Sequence, residues 1–401
     1  MPATAETLAR WADAHRPDAD DLALAERSLL DTLAVTLAAR GHEVAALAAS
    51  LPDAARWAAV GHILDFDDVQ VEANSHVSVV IVPAVLAVGG DARAYLAGAG
   101  VMTRLGALLG WRHYAAGWHA TCTEGAPAAA VAAGVALCLP PERLATAMAL
   151  ALPAAGGVQA AFGTHGKALQ VGFAAEAGVR AARLAKAGAT ADPRALDMWL
   201  DLLGGEGGEA MTDGPAVPGG LAVKLHPCCY ALQRPIAAVR SLVAAHGALD
   251  PERIARIVVT TPEAGMQPLV HDRPRTGLEG KFSMPYAIAT ALLDGFPGFD
   301  SFTDEAVGRT EAQRLIAAVE IERTAGGHDI LAGEVGIRLE LTDGTALFTN
   351  LDLPPGAPRR APSAADLEAK FTACGADVPG LLSGIDWGSA PALLTSELPS
   401  A

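Results

Sequence analysis

The residues best suited to chemistry in this chain are lysines, histidines and aspartates placed among small residues just before helix-like runs. The stretch AFGTHGKALQVGFAAEAG (161–178) holds His165 and Lys167 between glycines. The sequence has 29 Lys and Arg residues, and only five of these cations are lysines. Lysine differs from arginine because it can lose its proton and carries a compact charge. Because lysine is rare in this chain, we select Lys167, Lys224 and Lys281 as candidate functional residues. The alternative for Lys167 is a solvated side chain in a flexible surface turn.

Three carboxylates lie together in LDFDD (64–68), ahead of His76 and a long apolar run. Asp65, Asp67 and Asp68 cannot all be buried without partners, because an unpaired buried charge is very costly. Two interpretations stay open for this segment. It is either a solvated loop, or one carboxylate orients a catalytic group while another caps the next helix.

Histidines also precede small-residue helices in two further segments. His113 and His119 lie on either side of a glycine, and His226 comes shortly before the helix-like run at 229–247. The N-terminus of a helix favours anions, because its backbone N–H groups and its dipole point toward them. This placement predicts a site for an anionic ligand.

A metal site is the main alternative for these residues, since His76, His119, His226, Cys228 and Cys229 are all possible ligands. However, the sequence lacks the HxxxH, CxxC and HxH pairs that give zinc sites their paired spacing. It also lacks the GxSxG of a serine hydrolase and a GxGxxG after a strand. We therefore predict no metal.

Composition sets the class of protein. With 401 residues, the chain is long enough for two or more domains. It is 51% hydrophobic but only 5% aromatic, so its core must be built mainly from Ala, Leu and Val. Such a composition favours closely packed helices, because alanine has the highest helix propensity and lets backbones approach. The net charge of −16, with no Lys/Arg-rich block, argues against binding to nucleic acid or to anionic membranes.

Cysteine usage and the N-terminal sequence predict a cytoplasmic protein. The five cysteines show no disulfide-framework spacing, and no signal peptide is recognisable. One stretch, 144–164, has no charged residue and is long enough to span a membrane. Because it is rich in alanine and holds Pro153, Gly156 and Gly157, we interpret it as a buried helix followed by a loop.

Two periodicities divide the chain. Apolar residues recur at three-to-four spacing from Leu22 to Leu37, with Asp18, Asp20 and Asp21 near the start as candidate caps. Further helices are predicted at 77–89, 94–110, 124–138, 142–152 and 171–187. Strand patterns follow at 254–262 and at 335–341, where the turn Asp343-Gly344 predicts a hairpin with a second strand. Helices at 229–247, 283–294 and 308–319 accompany these strands, and the tail from about 363 returns to helix. The predicted fold class is mainly α with a smaller α+β domain.

Five ordered segments carry a resemblance to a known family. They are LDFDD followed by His76 (64–76), HYAAGWHAT (113–121), AFGTHGKALQVGFAAEAGVRAARLAKAG (161–188), KLHPCCYALQR (224–234) and TGLEGKFSMPYAIATALLDG (276–295). In this order they resemble the MmgE/PrpD family, which includes 2-methylcitrate dehydratase, cis-aconitate decarboxylase and iminodisuccinate epimerase.

The resemblance implies an architecture and a class of substrate. It implies an all-helical domain from residues 1–222 and a C-terminal return at 361–401, with an inserted α+β lid domain at 223–360. It also implies a homodimer, an active site between the two domains, a small carboxylate substrate and no organic cofactor.

On this resemblance Asp65, His76, His119 and Lys167 line a carboxylate pocket. We predict that Lys167 and His119 form the proton-transfer pair, that His76 contributes to carboxylate binding, and that Asp65 orients or charges a histidine. The glycines around Lys167 are expected to let a loop carry this lysine into the cleft. The predicted substrate-binding residues are Lys224, Lys281, Gln170, His165 and Cys229.

The chain also departs from the family pattern. Val69 stands where the family usually has threonine, Gln170 where it has histidine, and a histidine found near Cys229 or Gln233 in several relatives is absent. Three functions therefore stay open. The first is a lyase that dehydrates or decarboxylates a di- or tricarboxylate, and the second is an epimerase that removes and returns one proton. The third is a non-catalytic relative. The lost polar groups mildly favour the epimerase, which need not expel hydroxide.

Overall fold

The computed structural model of the chain describes residues 2–398 and Ser400. The chain folds into two compact units. The helical unit consists of the residues up to Gln159, His165–Leu221 and the residues from Leu367 onward. The α+β unit consists of Ala160–Thr164 and Ala222–Asp366.

Helices make up most of the structure. In chain order they are α1 (Thr4–Ala14), α2 (Ala19–Ala38), α3 (Glu43–Ala48), α4 (Asp53–His62), α5 (Ser78–Leu86), α6 (Ala92–Ala115), α7 (Ala120–Ala136), α8 (Pro141–Ala151), α9 (His165–Lys186), α10 (Ala195–Leu202), α11 (Tyr230–His246), α12 (Gly277–Gly280), α13 (Met284–Asp294), α14 (Asp304–Val307), α15 (Thr310–Ala318), α16 (Ala364–Ala373), α17 (Val378–Leu382) and α18 (Ala390–Glu397). The predicted helices of the first half are all present, and Asp18 caps α2 by accepting a hydrogen bond from the backbone N–H of Asp21.

Small residues set how closely the helices of the helical unit pack. A Cβ added to Gly178 of α9 would lie 2.4 Å from the Cβ of Ala129 in α7, and one added to Gly98 of α6 would lie 2.5 Å from that of Ala132. Larger side chains at these crossings would force the helices apart. Helix α7 therefore packs tightly against both α6 and α9, as the alanine-rich composition predicted.

One helix start was predicted wrongly. We expected a loop through Lys167 and a helix from residue 171, but α9 begins at His165 and places Lys167 in its first turn. The chain reverses at Gly163, whose φ of 83° lies in the left-handed region. The turn is therefore complete before Lys167, and the sequence KALQ continues as helix because its residues have good helix propensity.

The apolar stretch at 144–164 divides between α8, two short 3₁₀ turns and a loop. This agrees with the prediction of a buried helix followed by a loop. Among the residues that the structure describes, no helix combines the length and the apolar character needed to cross a bilayer.

The α+β unit is built on a four-stranded sheet. Its strands are β1 (Ile254–Pro262), β2 (Val319–Thr324), β3 (Val335–Leu341) and β4 (Ala346–Leu351), in the order β2-β1-β3-β4. The predicted hairpin is present: β3 pairs antiparallel with β4, and β1 pairs antiparallel with β3, with Val259 opposite Ile337. Strand β2 pairs parallel with β1 and was not predicted, because VEIERT is largely polar and mostly exposed.

The buried side chains of the sheet meet α11, α13 and α15 in one core. Ile257, Val259, Ile337 and Leu339 are all fully buried there. The fold class, mainly α with a smaller α+β domain, is thus confirmed. That the α+β unit acts as a lid, and that the protein is a homodimer, stay predictions.

Candidate active site

The LDFDD segment lies between α4 and α5 and is buried. Asp65, Asp67 and Asp68 are each at most 2% exposed, so the interpretation of this segment as a solvated loop is wrong. Asp65 has a φ of 52°, in the left-handed region that aspartate tolerates better than most residues, and its backbone N–H bonds the carbonyl of His62. The chain therefore turns sharply after α4, and the carboxylates are placed among other polar side chains.

Five side chains that come together from separate parts of the sequence form what we call the Lys167 cluster. Its members are His62, Asp65, Asp67, His76 and Lys167. The Lys167 ammonium (Nζ) lies 2.9 Å from Asp65 Oδ1 and 2.6 Å from His62 Nε2. Asp67 Oδ2 lies 2.8 Å from His62 Nδ1 and 2.9 Å from His76 Nδ1, and His76 Nε2 is 3.6 Å from Asp65 Oδ1. One carboxylate thus contacts both imidazoles, while the other pairs with the ammonium.

The electrostatics of the Lys167 cluster fix the orientation of His62. Burial alone would raise the pKa of Asp67, but His62 and His76 attract and hydrogen-bond its carboxylate, and they hold the pKa well below its usual value. Burial lowers the pKa of His62, so its ring is neutral at pH 7. Because an ionised carboxylate can only accept, His62 donates its Nδ1–H to Asp67, and its Nε2 accepts from Lys167.

His119 lies beside this cluster at the start of α7. Its ring stacks on that of His62 with centroids 5.8 Å apart, and it is 2% exposed. The backbone N–H of His119 bonds the carbonyl of Gly157, and Trp118 pairs with Val158 as an isolated antiparallel bridge. The loop that follows α8 therefore holds the loop that carries His119.

Burial, first of all, holds the pKa of His119 well below its usual value, and the nearby positive charge of Lys167 lowers it further. The His119 Nδ1 lies 2.6 Å from the amide nitrogen of Gln170 and 3.3 Å from Cys122 Sγ. Lys167 and Gln170 are one turn apart on α9, so the same helix supplies the ammonium and the amide that contacts His119.

Helix α16, in the C-terminal part of the chain, supports the LDFDD segment. Lys370 is buried, with its Nζ 2.6 Å from Asp31 Oδ1, and it donates a hydrogen bond of 2.9 Å to the carbonyl of Phe66. Asp68 accepts hydrogen bonds from both the N–H and the hydroxyl of Ser78 at the start of α5. The backbone around Asp65 and Asp67 is therefore held from two sides.

The donor set of the Lys167 cluster also resembles that of a metal site. His62, Asp65, Asp67 and His76 each offer one ligand atom, and these atoms lie within 4.8 Å of one another. The Lys167 ammonium already contacts two of these residues, and a metal ion in the same place would meet it as a like charge. The residues favour an internal cation, and the absence of a metal stays a prediction.

Of the remaining predicted residues, one belongs to the helical unit and three belong to the α+β unit. His165 contacts Glu43, with Nε2 2.8 Å from Oε1, and its side chain is about one third exposed. Lys224, Lys281 and Cys229 are buried residues of the α+β unit. Within that unit Lys281 donates to the carbonyl of Pro227 at 2.7 Å, and its own carbonyl accepts from the N–H of Cys229. The structure brings Asp65, His76, His119, Lys167 and Gln170 together in the helical unit.

Two members of the site were missed by sequence reasoning. His62 was not selected, although it precedes Asp65 by three residues in the same segment, and Cys122 was not considered beside His119. His62 could have been selected because it lies close to LDFDD in the sequence. The last turn of α4 places it next to the sharp turn that holds the carboxylates. Its contact with Lys167 joins residues 105 positions apart and leaves no mark in the sequence pattern.

Both units match a known family. The MmgE/PrpD N-terminal domain matches residues 49–199, and the MmgE/PrpD C-terminal domain matches residues 226–380. The chain belongs to the MmgE/PrpD family.

Alignments of this chain with curated relatives cover most of the length of one relative and about half of the length of two others. Cis-aconitate decarboxylase of Aspergillus terreus is 25% identical over 428 aligned residues, which cover 94% of this chain and 86% of the relative. The cis-aconitate decarboxylases of Homo sapiens and Mus musculus are 28% and 29% identical, and each alignment covers 64% of this chain. Those alignments cover 56% of the human protein and 55% of the mouse protein.

Proposed function

We propose that this protein is a lyase that acts on a small di- or tricarboxylate without an organic cofactor and removes carbon dioxide next to a carboxylate. The observation that carries the proposal is the position of Lys167, whose buried ammonium lies between Asp65 and His62 and beside His119. The similarity to cis-aconitate decarboxylases favours decarboxylation over dehydration.

The chemistry of such a reaction fits the charges of the Lys167 cluster. When the bond to the departing carboxylate breaks, carbon dioxide leaves and the electron pair stays on the substrate as a carbanion, which then takes up one proton. A fixed cation stabilises that negative charge, and Lys167 supplies one in a buried setting where electrostatic interactions are strong. In this proposal Lys167 and His119 handle the charge and the proton, while Asp65 and Asp67 hold the lysine and the histidines in place.

The carboxylates of the substrate need cations of their own. We assign His76, the most exposed member of the Lys167 cluster with 12% of its side chain accessible, to one carboxylate. Lys224, Lys281 and Cys229 stay candidate substrate-binding residues of the α+β unit.

An epimerase is the second candidate. Val69, just after LDFDD, is buried and offers no hydroxyl group where the family usually has one. A reaction that expels hydroxide gains from a nearby hydrogen-bond donor, whereas proton removal and return does not require one. The same observation leaves decarboxylation unaffected, so it counts against dehydration alone.

The decisive experiment offers the full chain a panel of acids in heavy water. The panel holds cis-aconitate, citrate, 2-methylcitrate and a C2-chiral dicarboxylate, and NMR follows products and deuterium while a coupled assay follows carbon dioxide. Release of carbon dioxide from cis-aconitate, with one deuterium from the solvent in the product, supports the lyase. Deuterium entering an acid without net conversion supports the epimerase. If no acid in the panel reacts or exchanges, both proposals are rejected in favour of a non-catalytic relative.

A further inference from the structure

The side chain of Gln170 has an amide whose two ends can be told apart. Its Oε1 lies 3.2 Å from the backbone N of Val158, and its Nε2 lies 3.3 Å from the backbone carbonyl of the same residue. A backbone N–H only donates and a carbonyl only accepts. A flipped amide would place donor against donor and acceptor against acceptor, so Val158 fixes the Nε2 end toward His119.

The fixed amide dictates the protonation of the His119 ring. The Gln170 Nε2 lies 2.6 Å from His119 Nδ1, within hydrogen-bond distance. Because an amide NH₂ group can only donate, Nδ1 must accept and carries no proton. A neutral imidazole holds one proton, which is then on Nε2.

A second donor points at the same nitrogen. Cys122 Sγ lies 3.3 Å from His119 Nδ1. Burial raises the pKa of the Cys122 thiol well above its usual value, so the sulfur keeps its hydrogen and can donate it. Gly157 makes room for this arrangement, since a Cβ there would lie 2.8 Å from the Cβ of Cys122 and 3.2 Å from Gln170 Cδ.

We infer that Gln170 is a positioning residue that holds His119 as the tautomer with its proton on Nε2, so that His119 meets a substrate as a hydrogen-bond donor. Its role in turnover rests on the proposed function, whereas the tautomer itself does not. A neutral imidazole N–H stabilises a developing oxyanion without first having to be protonated, which is an established use of histidine. His119 then does not act as a base, and the Lys167 ammonium is the member of the proton-transfer pair that stabilises the negative charge and supplies the proton.

The tautomer is measured directly on the wild-type chain. The full chain is labelled with ¹⁵N-histidine, and two-bond ¹H–¹⁵N correlation spectra distinguish a protonated ring nitrogen from a bare one. The His119 signals are assigned by their loss in His119→Gln. We expect a bare Nδ1 and a protonated Nε2 at neutral pH. A protonated Nδ1 would overturn the inference, whatever the activity of the protein.

Two variants at position 170 test the cause. Gln170→Glu replaces the donor with a carboxylate that accepts from Nδ1–H, so we expect the proton to move to Nδ1 or both nitrogens to be protonated. Gln170→Met removes the donor without adding an acceptor and serves if the first variant does not fold. We expect it to lose the single-tautomer pattern. With cis-aconitate as the probe, turnover should fall about 10²- to 10³-fold in Gln170→Glu, the range for the loss of one oxyanion donor.

Gln159→Met is the matched control. Gln159 is a buried glutamine of the same loop that donates to the carbonyls of Tyr114 and Trp118. Its loss should weaken the loop yet leave a bare Nδ1 on His119. If it shifts the His119 signals as much as Gln170→Met does, the tautomer depends on the loop and the inference fails. If the predicted tautomer is found but no acid in the panel reacts, the inference about Gln170 stands and the proposed function fails.

Discussion

Two buried lysines of the helical unit and one buried lysine of the α+β unit contact different kinds of group. In the helical unit Lys167 lies 2.9 Å from Asp65, and Lys370 lies 2.6 Å from Asp31, so each ammonium faces a carboxylate. In the α+β unit the ammonium of Lys281 donates to the carbonyl of Pro227 and lies 4.9 Å from the ring centroid of Phe302. A buried carboxylate carries a charge of its own that needs a partner, whereas a carbonyl is neutral with or without the lysine.

Contact between a buried cation and a buried carboxylate is a feature of the LDFDD region rather than of the whole helical unit. Arg104, also in the helical unit, donates to the carbonyls of Gly100, Met211 and Ala216 and covers the ring of Trp11. Arg104 thus links the loop at Met211 and Ala216 to α6 by donating to backbone carbonyls, as Lys281 donates to the carbonyl of Pro227. The buried lysine–carboxylate pairs Lys167–Asp65 and Lys370–Asp31 thus lie at the LDFDD segment or support it, where the proposed chemistry takes place. Each of the following predictions tests whether that placement matters.

The largest effect is expected from Lys167→Met. The substitution removes the cation proposed to stabilise the developing charge, and we expect turnover of the reacting acid to fall by about 10³-fold or more, within the range known for acid–base groups. Steady-state kinetics with the acid identified from the panel measure it. Lys186→Met, at the exposed end of the same helix, is the control and should retain wild-type turnover. Equal activity of the two variants would contradict the assigned role of Lys167.

The next largest effect is expected from Lys370→Met. It leaves Asp31 as a buried carboxylate without its ammonium, and removing one partner of a buried pair typically costs about 3–5 kcal/mol. The denaturation midpoint in urea, followed by circular dichroism, should fall accordingly. The double variant Asp31→Asn with Lys370→Met should recover part of the loss, because no unpaired charge remains. If the double variant is no more stable than Lys370→Met, the loss comes from packing alone.

Local sequence patterns predicted much of the fold. The helix of Ala19–Ala38 with its Asp18 cap, and the hairpin of Val335–Leu341, were both readable because their periodicity and turn residues lie within one short window. The start of α9 and strand β2 were not. In α9 the glycine before Lys167 suggested a loop, although the chain has already turned at Gly163. Strand β2 forms because it pairs with β1, although its own sequence is largely polar.

The candidate site was predictable in its members but not in its geometry. Asp65, His76, His119 and Lys167 were identified from ordered blocks, yet their roles depend on contacts that only the fold creates. Asp31 and Lys370 are 339 positions apart and still form an ion pair. His62 acquires its role because Asp67 and Lys167 contact opposite nitrogens of its ring. No periodicity records such contacts, since they arise from how helices pack.

Asp68→Asn should change how stability depends on pH. Burial, chiefly, raises the pKa of Asp68 to about 7 in the folded protein, far above its unfolded value. Between those two values the folded state holds a proton that the unfolded state has released, so wild-type stability falls as pH rises toward 7. The asparagine variant lacks this loss and keeps partners in Ser78. We therefore expect it to be more stable than wild type at about pH 8, by on the order of 2–4 kcal/mol, and nearly equal at about pH 4.

Urea midpoints of both proteins across this range check that prediction. Buried histidines, among them His62 and His119, also make stability depend on pH, but they contribute equally to the two proteins and cancel in the difference. A difference that does not grow with pH would mean that Asp68 is ionised in the fold at neutral pH.

The smallest effect is expected from Lys281→Met. Here the lost interaction is a charge-assisted hydrogen bond to the neutral carbonyl of Pro227, and such bonds contribute about 1.5–3 kcal/mol. The carbonyl of Pro227 is neutral and carries no charge once the lysine is removed, and the methionine side chain can still pack against Phe302. The urea midpoint should therefore fall less than in Lys370→Met, measured under the same conditions. A loss as large as that of Lys370→Met would show that the charge of Lys281 also has an ionised partner, and the contrast between the two regions would disappear.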